Sequence, residues 1–436
     1  MPRHGAASGV TLIRVREAWA RGRYLLHRAC TSRLGLRLLY PFLKPFCRRA
    51  RPFTFLSLLY PWLHPPAAPA CMPRPPGSRH ILVLRPDHIG DLLYSLPALL
   101  RLSDGLKPGD RLTLLVDPCN AELAQTLLSN LDVVVFRIFG PSGAKLLPSG
   151  SEFQRLREML GVIDVAVDMR PDGHSGLILS RLVPTHTYRI SNRGNDIEHK
   201  VGRDGIPRLY PAARDPNTWW FFSLTMQGAR PRLMFEFADA VARALGADSA
   251  CCLEQGLMRS SELLRARFRR IDEGAIVFCP EARNRVKVWA ARDWRKLVDT
   301  LLREGLRVQL LGQRRWPRSP VSTRCDDRRG TTNLLEALAH IARARVFIGF
   351  DSGPAHFACL IGVPTVTIFN GTTDPGVWTG IPFAGPAWIA TPLGSAEGAS
   401  SVEPCATALT EVPELQQVLT LLMSQGPALE IVYPRH

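Results

Sequence analysis

Residues 80–102 read HILVLRPDHIGDLLYSLPALLRL, and this stretch decides the fold class. Its apolar run Ile81–Leu84 is typical of a buried strand, a short loop containing Gly90 follows, and a helical pattern begins near Asp91. A strand followed by a loop and a helix is the repeating unit of a parallel α/β sheet. Because ligands of such sheets bind beyond the carboxyl ends of the strands, we expect a binding site at this loop.

The same alternation continues along the chain and restarts after residue 250. In the first series, strands are predicted over Leu112–Val116, Val133–Arg137, Val162–Val167 and Thr187–Ile190, and a helix over Arg232–Leu245. In the second series, strands are predicted over Ala275–Cys279, Arg307–Leu311, Val346–Phe350 and Thr365–Phe369, and helices over Asp293–Arg303, Leu334–Ala342, Pro354–Leu360 and 412–424. We therefore predict an α/β fold of two Rossmann-like doubly wound units, residues 78–248 and 249–436, with ligand between them.

Residues 1–77 differ in composition from this α/β body. The fourteen Lys/Arg and single Glu of residues 1–80 give +13 of the formal net charge of +17, which leaves only +4 for the rest. A nearly balanced body argues against nucleic acid as a partner. Residues 10–29 form an amphipathic helical pattern with an arginine-rich face and Trp19 on the apolar face, and the proline-rich segment Pro65–Gly77 is typical of a stiff linker.

This extension has three interpretations. An arginine-rich amphipathic helix followed by aromatic segments is typical of a membrane interface, where each basic residue near anionic headgroups contributes roughly 1 kcal/mol. The helix could instead pack on the protein's own body, or the segment could be an organelle transit peptide. We favour an anionic membrane surface bound through residues 10–63. Since no apolar stretch reaches the length that a bilayer requires, we expect no transmembrane helix.

The sequence lacks several motifs that mark metal-binding proteins and nucleotide-binding enzymes. The ten cysteines are scattered without a C-x-x-C pair or a zinc-ligand spacing, so we expect reduced thiols, a cytosolic compartment and no bound metal. Neither G-x-G-x-x-G nor G-x-x-x-x-G-K-[ST] occurs, which argues against a nicotinamide dehydrogenase and a P-loop NTPase.

Two strand-to-helix loops carry the first candidate site residues. Gly90 allows a tight turn or a close backbone approach, and Asp91 is either a helix N-cap or a general base that faces the cleft. The segment Phe350–His356, FDSGPAH, ends a strand and starts a helix with proline, so the N–H groups near Ser352 and Gly353 form either a phosphate site or an ordinary capped helix. We expect His356 to be packed one turn into that helix, without an assigned role.

Two further loops lie at the same predicted sheet edge. Residues 280–289, PEARNRVKVW, carry the cations Arg283, Arg285 and Lys287, which are either a solvated basic run or phosphate contacts. Residues 370–375, NGTTDP, form a polar loop after the next strand and contain Thr373 and Asp374.

Together these segments resemble glycosyltransferase family nine, whose best-known members are the ADP-heptose:lipopolysaccharide heptosyltransferases. The resemblance covers roughly residues 78–425 and implies a B-type glycosyltransferase fold, in which the first unit takes the acceptor and the second takes the nucleotide-sugar donor. It implies Asp91 as the catalytic base, Lys287 as a contact to the donor diphosphate, and a donor-binding turn formed by Asp351, Ser352 and Gly353. Thr373 and Asp374 would line the same cleft. The family often has an acidic residue near the donor ribose, whereas residues 310–315, LLGQRR, contain none.

The resemblance implies an inverting glycosyltransferase without a tightly bound cofactor or metal. The donor would be a nucleotide-diphosphate sugar, with ADP-heptose the first choice, and the acceptor a lipopolysaccharide core or related glycolipid or glycan. We then expect a cytoplasmic protein, peripheral on the inner face of a bacterial inner membrane. Two alternatives stay open: a non-catalytic membrane-associated protein that binds sugar nucleotides, and a sugar-nucleotide epimerase or hydrolase of the same fold.

Overall fold

The computed structural model describes most of the predicted α/β body. The described residues are 77–85, 88–138, 148–170, 173–190, 208–211, 217–222, 230–247, 251–269, 271, 274–283, 287–313, 322–369, 387–392, 417–418, 420 and 429–432. The amphipathic helix predicted over residues 10–29 lies outside them, as do the linker up to residue 76 and most of the helix predicted over 412–424. None of the described helices combines the length and apolar character that a membrane span requires.

Fourteen strands and nine helices make up the described residues. The strands are β1 (His80–Leu84), β2 (Arg111–Val116), β3 (Asp132–Val135), β4 (Val165–Asp168), β5 (His186–Ile190), β6 (Arg208–Pro211), β7 (Thr218–Phe222), β8 (Ile276–Cys279), β9 (Val308–Leu310), β10 (Cys325–Asp327), β11 (Val346–Phe350), β12 (Thr365–Ile368), β13 (Ala387–Pro392) and β14 (Leu429–Val432). The helices are α1 (Ile89–Ser103), α2 (Pro118–Leu127), α3 (Gly150–Leu160), α4 (Gly173–Leu182), α5 (Arg230–Leu245), α6 (Leu253–Phe268), α7 (Ala291–Arg303), α8 (Leu334–Ala342) and α9 (Gly353–Ile361).

The strands form two seven-stranded sheets, which have the same order over their first five strands and differ at the antiparallel edge. Their orders are β3-β2-β1-β4-β5-β7-β6 and β10-β9-β8-β11-β12-β13-β14. Pairing within each sheet is parallel except at one edge, where β6 is antiparallel to β7 and β14 is antiparallel to β13. The predicted α/β fold of two doubly wound units is confirmed, and the antiparallel edges are an addition to it. The boundary near residue 248 stays a prediction.

The topology fixes where a ligand can bind. In each sheet the chain first builds strands to one side and then crosses to the other, between β1 and β4 in the first sheet and between β8 and β11 in the second. The carboxyl ends of the strands at such a switch point leave a crevice. The loops after β1 and β4 therefore face one crevice, and the loops after β8 and β11 face another.

The two units share a hydrophobic core. One cluster of buried side chains includes Leu99 of α1 together with Phe357 of α9, and α6 packs against both of these helices. Polar contacts reinforce this packing: Arg259 of α6 forms an ion pair with Asp104 at 2.7 Å, and Arg265 donates to the Ile361 carbonyl at 3.1 Å. Packing through α6 thus brings the starts of α1 and α9, and the loops that precede them, together.

Candidate active site

The first turn of α1 touches the first turn of α9 at two glycines. A Cβ atom placed on Gly90 would lie 3.0 Å from His356 Cδ2 and 3.3 Å from Gly353 Cα. A Cβ atom on Gly353 would lie 3.0 Å from the Gly90 nitrogen and 3.1 Å from Ile89 Cγ2. At either position a side chain would require the neighbouring atoms to shift. The two glycines therefore allow the backbones of the two units to approach each other closely at the switch points.

Asp91 is the third residue of α1, and His88 is the N-cap. The expectation that Asp91 could be the N-cap is wrong, because the helix begins two residues before it. Its carboxylate instead accepts the His88 N–H at Oδ2, 3.3 Å away, as the third residue of a capping box does. The other oxygen, Oδ1, accepts from the Arg85 guanidinium at 3.3 Å, and the Asp91 side chain remains 22 % exposed.

Arg85 fixes both the position and the charge of this carboxylate. It is buried, and it also donates to the carbonyl oxygens of Asp91 at 3.2 Å and Met169 at 3.3 Å. Burial by itself would raise the pKa of Asp91. The Arg85 guanidinium and, after it, His88 together outweigh burial, so the pKa of Asp91 lies below its usual value. Asp91 is consequently ionised at neutral pH, with part of its side chain exposed to solvent.

Lys287 and Asp351 join the two loops of the second unit. The Lys287 ammonium lies 2.5 Å from Asp351 Oδ2; the lysine side chain is 21 % exposed, whereas that of the aspartate is 3 % exposed. Asp351 directly follows β11, and Ser352 is the N-cap of α9, with its hydroxyl donating to the Phe350 carbonyl at 2.9 Å. This arrangement holds a cation beside the N-terminus of α9, where a helix attracts anions.

His356 was predicted to be packed within α9, and it is buried there as expected. Its ring lies against Tyr94 of α1, with centroids 4.1 Å apart, and its Nε2 is 3.6 Å from Asp351 Oδ1. Burial lowers the pKa of His356 to about 4, although the carboxylates of Asp351 and then Asp91 oppose this shift. The ring is therefore neutral at pH 7 and lies within electrostatic reach of both carboxylates. Sequence spacing gave no such role, because the contact depends on the other unit.

Arg283 and Glu281, in the loop after β8, make two further contacts near the site. Arg283 donates to Nδ1 of His88, 2.8 Å away, and so crosses from the second unit to the first. Glu281 accepts the backbone N–H of Gln313 at 3.0 Å, which places a carboxylate beside the loop after β9, where the sequence itself has no acid. Sequence reasoning missed Glu281 because its carboxylate comes from a neighbouring strand.

The remaining predicted residues lie outside the described part of the chain: Arg285, Thr373 and Asp374. Within that part, no group of three His, Cys, Asp or Glu side chains is arranged to hold a metal ion. The structure therefore brings Gly90, Asp91, Arg283, Lys287, Asp351, Ser352 and Gly353 to the facing switch points, together with His88 and His356.

Comparison with known proteins shows which family the second unit resembles. The model of glycosyltransferase family 9 (heptosyltransferase) matches residues 213–391, the segment that holds Lys287, Asp351 and the turn of Ser352 and Gly353. Over that segment the chain is similar to family 9 glycosyltransferases. A comparison with the curated proteins finds no match.

Solved structures of heptosyltransferases are similar to this chain. E. coli heptosyltransferase WaaC with ADP is 18% identical, with a TM-score of 0.53, and the match covers 77% of this chain and 99% of that one. The same protein with ADP-2-deoxy-2-fluoro heptose gives 17% identity, a TM-score of 0.52 and the same coverage of both chains. E. coli ADP-heptose lps heptosyltransferase II is 18% identical over 79% of this chain and 99% of that chain, with a TM-score of 0.47.

Proposed function

We propose that the chain is a family 9 glycosyltransferase that transfers a heptose from ADP-heptose to a lipopolysaccharide-core or related glycan acceptor, with inversion at the anomeric carbon. The observation that carries the proposal is the contact between Gly90 and Gly353, which sets an ionised Asp91 and the Lys287–Asp351 pair at facing switch points. The choice of donor is supported by the family match and by the ADP and ADP-2-deoxy-2-fluoro heptose named in the WaaC structures.

In this mechanism Asp91 accepts a proton from the attacking hydroxyl group. The acceptor oxygen forms a bond to the anomeric carbon while the bond from that carbon to the phosphate oxygen breaks, and the electron pair leaves with the diphosphate. Because the pKa of Asp91 is low, it takes the proton only as the hydroxyl becomes acidic in the transition state. Attack from the side opposite the diphosphate inverts the sugar, through an oxocarbenium-like transition state.

Lys287 stabilises the charge that develops on the leaving diphosphate. An ammonium group carries three N–H donors, so Lys287 can keep its bond to Asp351 and still donate to a phosphate oxygen. Asp351 holds the lysine in position before the donor arrives, which lowers the cost of ordering it. The N–H groups at the start of α9 add to the same field.

A donor panel tests this proposal. The purified protein is incubated with ADP-heptose, ADP-glucose, UDP-glucose or GDP-mannose, with and without a lipid A–core acceptor, and the products are separated by mass spectrometry. We expect transfer from ADP-heptose that depends on the acceptor. Saturable ADP-heptose binding without product would support the non-catalytic alternative. Release of ADP or an altered sugar without acceptor would support the epimerase or hydrolase.

We also propose that residues 10–63 bind an anionic membrane surface, which would keep a peripheral enzyme beside a lipid-linked acceptor on the cytoplasmic side of the bacterial inner membrane. The support is the +13 charge of residues 1–80 and their amphipathic pattern. Deletion of residues 1–75 should abolish co-sedimentation with phosphatidylglycerol vesicles and leave ADP affinity unchanged. Equal vesicle binding by the truncated protein would refute the anchor.

A further inference from the structure

His88 connects the catalytic carboxylate to the rest of its loop. It is the residue on which α1 starts, and its backbone N–H donates to Asp91 Oδ2 at 3.3 Å. Any displacement of His88 therefore moves the group that holds one carboxylate oxygen. The other oxygen, Oδ1, is held by Arg85, so the orientation of the carboxylate depends on both contacts.

Arg283 reaches this residue from the donor side. It lies four residues before Lys287 in the loop that follows β8, and its guanidinium donates to His88 Nδ1 at 2.8 Å. The same loop thus contacts Asp351 through Lys287 and the start of α1 through Arg283. One segment of the second unit therefore carries Lys287, the cation proposed to face the diphosphate. The same segment also contacts His88, whose backbone N–H holds the carboxylate of Asp91.

The chemistry of this hydrogen bond requires a neutral imidazole. A guanidinium group can only donate, so Nδ1 of His88 must carry a lone pair and the ring proton must be on Nε2. Burial and then the Arg283 charge lower the pKa of His88 from its usual 6.5, with Arg170 acting in the same direction, while the Asp91 and Asp117 carboxylates oppose the shift. The neutral form is therefore the dominant one at pH 7.

We propose that His88 is a positioning residue, which uses the hydrogen bond from Arg283 to hold the loop of Asp91 in register with the donor-side loop, and that protonation of His88 breaks this link. The inference rests on the proposed transfer reaction and goes beyond it, since it assigns Arg283 to the alignment of the two units and not to the diphosphate. Turnover then falls on acidification, because the protonated ring of His88 repels the Arg283 guanidinium and can no longer accept its hydrogen bond.

Nuclear magnetic resonance of the full chain tests the link independently of catalysis. The protein is labelled with ¹⁵N in its histidine rings, and His88→Asn identifies the His88 signals. We expect the Nε2-protonated tautomer and a titration midpoint below 6.5 in the wild type, and a higher midpoint in Arg283→Met. The exposed Arg292→Met, whose side chain is 88 % exposed, is the matched control and should leave the midpoint unchanged. An equal midpoint in Arg283→Met would overturn the proposal.

Kinetics test the positioning role with ADP-heptose and the lipid A–core acceptor. His88→Ala and Arg283→Met should each lower kcat about tenfold with a donor KM within about twofold, as expected when alignment and not binding is lost. The double variant should be no slower than the slower single variant. His88→Asn, which keeps an acceptor oxygen near the Nδ1 position, should recover most of the turnover and remove its loss at acidic pH.

Additive losses in the double variant, or a raised donor KM in Arg283→Met alone, would mean that Arg283 acts on the diphosphate and would overturn the positioning role. The experiments distinguish a failure of the proposed transfer reaction from a failure of the His88 link. A wild type that transfers no sugar from any donor refutes the proposed function, whereas the His88 titration still decides whether the link exists.

Discussion

Replacement of Gly90 by alanine probes the contact on which the site is built. The new Cβ would lie 3.0 Å from His356 Cδ2, 3.3 Å from Gly353 Cα and 3.4 Å from the Gly353 nitrogen. Unstrained carbon contacts lie at about 3.5–4.0 Å, so the two loops must separate by roughly half an ångström. His356 cannot turn away freely, because it is buried between Tyr94 and Asp351.

The energetic effect on folding is small because two terms oppose each other. Alanine favours a helix over glycine by about 1 kcal/mol, and the substituted residue lies in the first turn of α1. Overpacking at a tight contact costs about 1–3 kcal/mol. We therefore expect a net loss of about 0–2 kcal/mol in the free energy of unfolding. The effect on transfer is larger: misplacement by about 1 Å can cost 10²-fold, so half of that predicts a roughly tenfold loss of kcat.

The assay compares Gly90→Ala with Gly150→Ala. Gly150 is also in the first turn of a helix, α3, but no atom lies within 4 Å of its added Cβ. Urea denaturation and transfer from ADP-heptose are measured for both variants. Gly150→Ala should keep wild-type turnover and gain slightly in stability. If Gly90→Ala matches it in both measurements, the two loops do not approach each other as described.

Two further predictions concern the donor side. Lys287→Met should weaken ADP binding at least about tenfold in calorimetry and cost about 2–3 kcal/mol of unfolding free energy, because a buried Asp351 loses its lysine. Adding Asp351→Asn should restore the stability but not the affinity; recovery of both would refute the assignment of Lys287 to the diphosphate. Because the folded pKa of His356, about 4, lies below 6.5, the unfolded chain takes up this proton first as the pH falls. The neutral ring therefore gives its full stabilisation above pH 6.5, and about 3 kcal/mol is lost as the pH approaches 4. His356→Leu should flatten this dependence in urea titrations between pH 7 and 4, and an unchanged slope would show that His356 is not buried as a neutral ring.

Local sequence patterns were sufficient for most of the central strands. The short apolar runs that form β1, β8 and β11 are buried along their whole length, and each is bounded by a loop, so periodicity and length identify them. The start of β4 was predicted three residues too early. Helix α3 ends at Leu160, and Gly161, with a φ of 66°, turns the chain, so residues 162–164 serve to reach the sheet before pairing starts at Val165.

The antiparallel edge strands could not be placed in the same way. Thr218–Phe222, TWWFF, has the aromatic and β-branched composition of a strand, a signal that was overlooked. Even so, composition does not reveal that β7 pairs with β5 in parallel and with β6 in antiparallel orientation. Strand partners and direction depend on the path of the chain between them.

Some site residues could be predicted from the local sequence, whereas others depend on contacts between distant segments. The family resemblance pointed to Asp91, Lys287 and Asp351, and all three lie in the segments that lead from a central strand into the next helix. The parts played by His88 and Glu281 depend on hydrogen bonds across units or strands, and no local pattern records such contacts.

The central claim is that Asp91, held at the switch point of the first sheet, removes the proton from the acceptor. Its most direct test is single-turnover transfer by Asp91→Asn at saturating ADP-heptose and lipid A–core acceptor, with ADP affinity measured on the same preparation. A general base contributes about 10²–10⁴-fold, so we predict a loss of transfer in that range with ADP affinity within a few-fold of the wild type. Near-normal transfer by Asp91→Asn would contradict the account.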